Sequence, residues 1–143
     1  MEGRCQCGKV TFKLPLSQPL WIHCCHCIEC RRQSSSAYGI SAIFPAFQLP
    51  ESKYLGCWTK VYENGSQFHH YFCGACGTRL VHTDGKEEAF VKGGCLEGLT
   101  KDMMRKAAHI FTSRAVVDIP AHAEQYAEDY PDGYQPWQLP SKM

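Results

Sequence analysis

The stretch Cys24-Cys25-His26-Cys27-Ile28-Glu29-Cys30-Arg31-Arg32 constrains this chain more than any other. Within it, Cys25, Cys27 and Cys30 form a C-x-C-x-x-C array. Thiolates spaced one and two residues apart can turn toward one centre, an arrangement that borderline-soft zinc favours. Three ligands from one short segment leave a tetrahedral ion one position short. A structural zinc fills that position with a fourth protein ligand, whereas a catalytic one keeps it for water or substrate. If no other residue completes the set, the array seats a reactive metal.

The chain holds ten cysteines in 143 residues. An even number would suit a disulfide framework. Clustered C-x-C and C-x-x-C spacings in a reducing compartment point instead to metal or redox chemistry. The segment Met1-Glu2-Gly3-Arg4-Cys5 lacks the apolar stretch of a signal peptide, and no apolar run approaches the roughly 18 residues of a spanning helix. The expectation is therefore a soluble, cytoplasmic protein with metal-bound thiolates. Its net charge of +1 comes from 15 basic and 14 acidic side chains, with no polybasic arm. That balance argues against nucleic acid or a membrane surface as partner and leaves a small molecule as the expected substrate.

One β-rich domain spanning 1–143 is the simplest organisation, with a core at about 3–119 and an extension at 120–143. Residues 10–14 alternate apolar and polar, as a half-buried strand does. Further strands are expected at 20–24, 37–44, 53–62 and 67–72. Others are expected at 79–83, 88–91, 108–111 and 116–119, with one helical turn at 27–34. Asn64-Gly65 is a strong short-range hairpin signal between the strands at 53–62 and 67–72. Leu96, Leu99, Met103 and Ala107 have helical spacing with Thr100 as a cap, and 121–130 reads as a short helix.

Outside the central array, Cys5, Cys7, Cys73 and Cys76 form two matched pairs far apart in the chain. Together they can supply the four thiolates of a closed structural zinc site. Two other readings remain open at this level. Cys5 and Cys7 could be incidental surface thiols, or Cys25 and Cys30 could share the knuckle's metal.

The ordered motifs Cys5-x-Cys7-Gly8-x-Val10-x-Phe12, Cys25-His26-Cys27-x-x-Cys30-Arg31 and Phe72-Cys73-x-x-Cys76-Gly77-Thr78-x-Leu80 resemble the glutathione-dependent formaldehyde-activating enzyme family, also called the GFA/CENP-V domain. The resemblance continues at His109-Ile110-Phe111-Thr112-Ser113-Arg114 and covers roughly 3–119. It implies a mainly β fold of the β-tent kind with two zinc ions per chain. Cys5, Cys7, Cys73 and Cys76 would hold the structural zinc, and Cys25, Cys27 and Cys30 the catalytic one. It further implies an irregular connection over 96–109 in place of a helix. The implied reaction is that of a carbon–sulfur lyase, run in reverse to make S-(hydroxymethyl)glutathione from formaldehyde and glutathione. A lyase or decarboxylase acting on another metabolite without glutathione is an alternative, as is a non-catalytic zinc-stabilised binding module.

Arg31, which the family motif includes, is expected to assist at the open zinc, and His109 to carry protons near it. His26, between two ligands, is expected to point away from the metal and bond behind it. Cys24 and Cys57 read as core thiols, and Cys95, after Gly93-Gly94, is the best remaining fourth ligand. His69, His70 and His82 read as structural. Tyr126, Tyr130, Tyr134 and Trp137 could cap the core, line a pocket or form a homodimer contact.

Overall fold

Alternating patterns separated by glycine turns assemble, in a computed structural model describing residues 1–134, into two sheets. The smaller one orders β2 (Thr11–Lys13), β1 (Glu2–Arg4) and β9 (Leu96–Glu97), all antiparallel. The larger has seven strands in the order β10, β3, β4, β8, β7, β6, β5. These are β3 (Trp21–Cys25), β4 (Gly39–Pro45), β5 (Leu55–Val61), β6 (Gln67–Cys73), β7 (Arg79–Thr83), β8 (Glu88–Lys92) and β10 (Ala108–Ile110). The mainly β expectation holds, as does the Asn64-Gly65 hairpin, in which Gly65 takes a φ of +82°.

The apolar core lies between the sheets. Val10, Phe12, Leu14 and Leu96 meet Ile22, Cys24, Ala42, Phe44, Leu80 and Val91 there. β4 is buried along most of its length because β3 and β8 flank it and both its faces are covered. The face of the large sheet turned away from this core differs in kind. Cross-strand register sets His23 opposite Ser41, Ser41 opposite Lys92, Phe90 opposite His82, and His82 opposite His70. Ring contacts link Trp58, Phe68, His70, His82 and Phe90 on that side.

Three expectations about elements need correction. Residues 121–130 form no helix. The backbone of this segment pairs with β10, His109 N–H donating to Glu124 O and Tyr126 N–H to His109 O. Tyr130 packs against His23 at 6.0 Å. Residues 116–119 form no strand. The 96–108 connection is more regular than expected, containing β9 and a one-turn helix, α2 (Lys101–Met104). Thr100 caps α2 by accepting from Met103 N–H at 3.2 Å. Trp137 lies outside the described residues. No helix among the described residues is long and apolar enough to cross a membrane.

Candidate metal centres

The closed set is assembled by two tight turns that the large and small sheets bring together. Cys5 and Cys7 follow β1, where Gly8 at φ +77° reverses the chain. Cys73 ends β6, and Gly77 at φ +78° closes the knuckle carrying Cys76. Both conformations are left-handed, which glycine reaches without the steric cost of a side chain. The four sulfurs lie within 4.8 Å of one another. Cys5 Sγ is 3.5 Å from Cys7 Sγ, and Cys7 Sγ is 3.8 Å from Cys73 Sγ. A tetrahedral zinc with bonds of about 2.3 Å spaces its sulfurs by about 3.8 Å, so the donor set fits that ion. A disulfide, at about 2.05 Å, is far shorter, and all ten cysteines are free.

Polar contacts brace these sulfurs. Val10 N–H donates to Cys5 Sγ at 3.2 Å. Gln6 N–H donates to Thr78 Oγ1 at 3.0 Å, which leaves the Thr78 hydroxyl to donate to Cys76 Sγ at 3.2 Å. That hydroxyl is the first cause holding the Cys76 thiol down at about 5, so the ligand form is favoured.

The three-cysteine set sits where β3 runs into α1 (Ile28–Ser34). Cys25 ends the strand, Cys27 caps the helix by accepting from Cys30 N–H at 3.3 Å, and Cys30 lies in its first turn. Gly39 faces Cys25 across the β3–β4 ladder, and a Cβ there would stand 3.1 Å from Cys30 Cβ. The bare backbone of Gly39 thus lets α1 rest against β4. The three sulfurs lie within 4.8 Å of one another, and no fourth Cys, His, Asp or Glu among the described residues joins them. Hydrogen bonding with Cys25 is the first cause of a Cys30 thiol lowered to about 6, with the positive charge of Lys92 acting in the same sense. Cys25 is raised in return. Soft, anionic, incompletely closed, this donor set fits a zinc with an open position.

The other candidates divide. His26, fully buried, is bonded through Nε2 to His109 Nδ1 at 2.9 Å, so one ring donates and the other accepts. Its own Nδ1 has no partner among the described residues. His109 therefore meets His26 rather than the sulfurs directly. Arg31, in the last turn of α1, is half-buried, and its side chain makes no ion pair among the described residues. Cys24 is a core thiol, as expected. Cys57 is not; it is exposed on the edge strand β5, where Trp58 on the opposite face is exposed as well. Cys95 joins neither set; its thiol donates to Lys92 O at 3.2 Å, with Leu80 O at 3.5 Å as the alternative acceptor. Sequence reasoning missed Lys92 and Arg79. A lysine ending an apolar strand reads as a solvated terminus, yet Lys92 is only 7% exposed and donates to Ser41 Oγ at 2.9 Å.

His70, 3% exposed, carries a pH consequence. Burial, then the charge of Arg79, lowers its pKa from 6.5 to about 4. Between these values the unfolded chain binds more protons, so stability rises with pH. The contribution of a neutral His70 is complete above about 6.5 and is lost as pH falls toward 4. Acid also protonates the thiolates, in any variant alike. The expected result is a shallower loss of melting temperature from pH 7 to 4.5 in His70→Gln than in the wild type. Parallel curves would refute the assignment.

Comparison with known proteins places the chain among relatives of the same fold. An uncharacterized lyase of Schizosaccharomyces pombe is 29% identical over 100 residues, covering 68% of this chain and 69% of that protein. A solved structure from Rhodobacter sphaeroides shares the fold with a TM-score of 0.57 and 24% identity, over 76% of this chain and 99% of that one. The family model for the glutathione-dependent formaldehyde-activating enzyme matches residues 1–114. With its two cysteine sets in place on the expected mainly β fold, the chain belongs to that family.

Proposed function

We propose that the protein is a zinc-dependent lyase that makes and breaks the carbon–sulfur bond between a small thiol, glutathione being the family's case, and formaldehyde. Family membership and the relative named a lyase support a lyase-type role. The observation that carries the finer reading is the Cys25–Cys27–Cys30 set without a fourth ligand among the described residues. A zinc held there would supply a coordination position for substrate thiolate and lower that thiol's pKa.

The protein's own groups shape the remainder. In the synthetic direction the thiolate sulfur bonds to the carbonyl carbon, the C=O π pair moves to oxygen, and a proton completes the hydroxymethyl group; the lyase direction is the reverse. Cys27, as helix cap, holds α1 in register with β3 and so fixes the spacing of the three sulfurs. The His26–His109 pair can hold a proton close to the centre, where the new oxygen needs one. Arg31, beside Cys30 and unpaired, is available for a substrate carboxylate.

The test is the rate of formaldehyde release from hydroxymethyl adducts of glutathione, cysteine and 2-mercaptoethanol, read with a formaldehyde trap. The zinc-loaded protein should accelerate at least one adduct about tenfold or more over the uncatalysed rate, on the scale of general acid–base and metal effects. Uncatalysed rates for every adduct, with both zincs present, would overturn the proposal.

A further inference from the structure

A β-bulge decides which side chain lines the cleft between the closed set and α1. The β6–β7 ladder pairs His70 with His82 and Tyr71 with Val81, then shifts, so that Phe72 faces Arg79 instead of Leu80. Such a bulge re-aims the side chains that follow it. Here it sends Leu80 into the core and Arg79 onto the histidine face. Arg79 Nη2 donates to His70 Nδ1 at 3.2 Å and approaches His82 Nε2 at 3.4 Å. Both partners are neutral imidazole nitrogens acting as acceptors. No carboxylate pairs with Arg79 among the described residues, and its Nε is buried without a partner.

Arg79 lines a cleft of about 780 Å³ together with Lys92, Gln33, Tyr38 and Thr78. Lys92 is buried and likewise forms no ion pair among the described residues. Two more buried polar atoms lack partners here, Gln33 Oε1 on the cleft wall and His70 Nε2 beside Arg79. Buried polar groups are ordinarily satisfied, and buried cations ordinarily paired, so the donors Arg79 Nε and His70 Nε2 and the ammonium of Lys92 point to an anionic occupant, while Gln33 Oε1, an acceptor, would take a donor from the same molecule. Glu97 also lines the cleft, but it is exposed, as is Arg4.

Cys5 and Cys76 of the closed set line the cleft directly, whereas Cys25, Cys27 and Cys30 do not; its connection to the open set runs through α1 and β4. Gln33 follows Cys30 by three residues on α1 and so shares its side of the helix. Tyr38 and Ile40 on the cleft wall flank Gly39, whose backbone touches Cys30. We propose that Arg79 and Lys92 form a carboxylate-binding subsite, selecting small thiols that carry a carboxylate and presenting their sulfur to the Cys25–Cys27–Cys30 centre. This rests on the thiol-handling role proposed above and adds the substrate class. A planar guanidinium suits the two oxygens of a carboxylate, and the lysine adds a point charge.

Three probes test it by calorimetric titration of the zinc-loaded protein: 3-mercaptopropionate, its amide, and succinate, which lacks sulfur. The acid should bind about tenfold more tightly than the amide, the scale of one charge-assisted hydrogen bond. In Arg79→Gln the acid should fall to within about threefold of the amide, with the amide's own affinity and the zinc content unchanged; in Lys92→Met the acid's advantage over the amide should fall likewise. The comparison of probes on the wild type holds even if one variant fails to fold. Equal affinity for acid and amide, with no binding of succinate, would overturn the subsite while leaving the thiol position intact. Binding of succinate, lost in Arg79→Gln, with no binding of the amide, would support the subsite and remove the thiol position instead.

Discussion

Cys76→Ser is expected to leave the chain largely unfolded at 25 °C, with no sharp thermal transition. The four-cysteine set joins the turn after β1 to the knuckle after β6, segments more than sixty residues apart. Two of its members, Cys5 and Cys73, are 1% and 0% exposed and belong to the apolar core. Removing a ligand therefore loosens the packing between the sheets as well as a surface turn. Structural zinc sites in small domains contribute about 10–16 kcal/mol of apparent binding energy, and that energy is folding energy. Whole domains are stable by only about 5–15 kcal/mol, so losing the metal's contribution matches or exceeds the stability of the whole chain. Circular dichroism in the near ultraviolet and calorimetry report the loss directly. A melting temperature within a few degrees of the wild type would refute the structural role of this set.

Much of the molecule is legible without coordinates, because its signals are local. Strand periodicity, the Asn64-Gly65 turn and the glycine-rich knuckle each act over a few residues, and the structure places β5, β6 and β7 where they indicate. The two cysteine sets are legible for a related reason. Close pairs of thiols have few uses in one short turn, and of the partitions the sequence leaves open the structure brings together Cys5, Cys7, Cys73 and Cys76, with Cys25, Cys27 and Cys30 apart. What the sequence hides depends on distant pairing. The 121–130 segment carries helical composition, but parallel pairing with β10 satisfies its backbone, and nothing local records that partner. Cys57 reads as core by its apolar neighbours, yet only the strand order shows that β5 is an edge. Arg79 is the plainest case. By alternation from His82 it belongs to the opposite face, and only the register shift at Tyr71/Phe72 brings it beside His70. The chemistry of the cleft therefore rests on one extra residue in a ladder, which no periodicity reveals.

Cys30→Ser should separate the second centre from the fold. Cys30 lies in the first turn of α1, a helix that contributes no fully buried residue, and the core between the sheets does not depend on it. Cys27 keeps its place as helix cap, since the bond it accepts comes from the backbone N–H of residue 30, which serine retains. The variant should melt within a few degrees of the wild type and bind one zinc per chain in place of two. Activity should drop at least about a hundredfold, since removing residues merely behind a metal ligand already costs about 10–100-fold. Elemental analysis, a melting curve and the formaldehyde-release assay on the same preparation distinguish the outcomes. One zinc with full activity would remove the three-cysteine set from the chemistry and turn attention to the closed set or to a metal-free mechanism. Two zincs with reduced activity would mean that another group takes the vacated position, for which Cys24 and Cys95 are poorly placed: both are packed in the core, and Cys95 donates to Lys92 O. One zinc, a normal melt and lost turnover would place the reaction at Cys25, Cys27 and Cys30, where Lys92 already offsets the negative charge of the sulfurs.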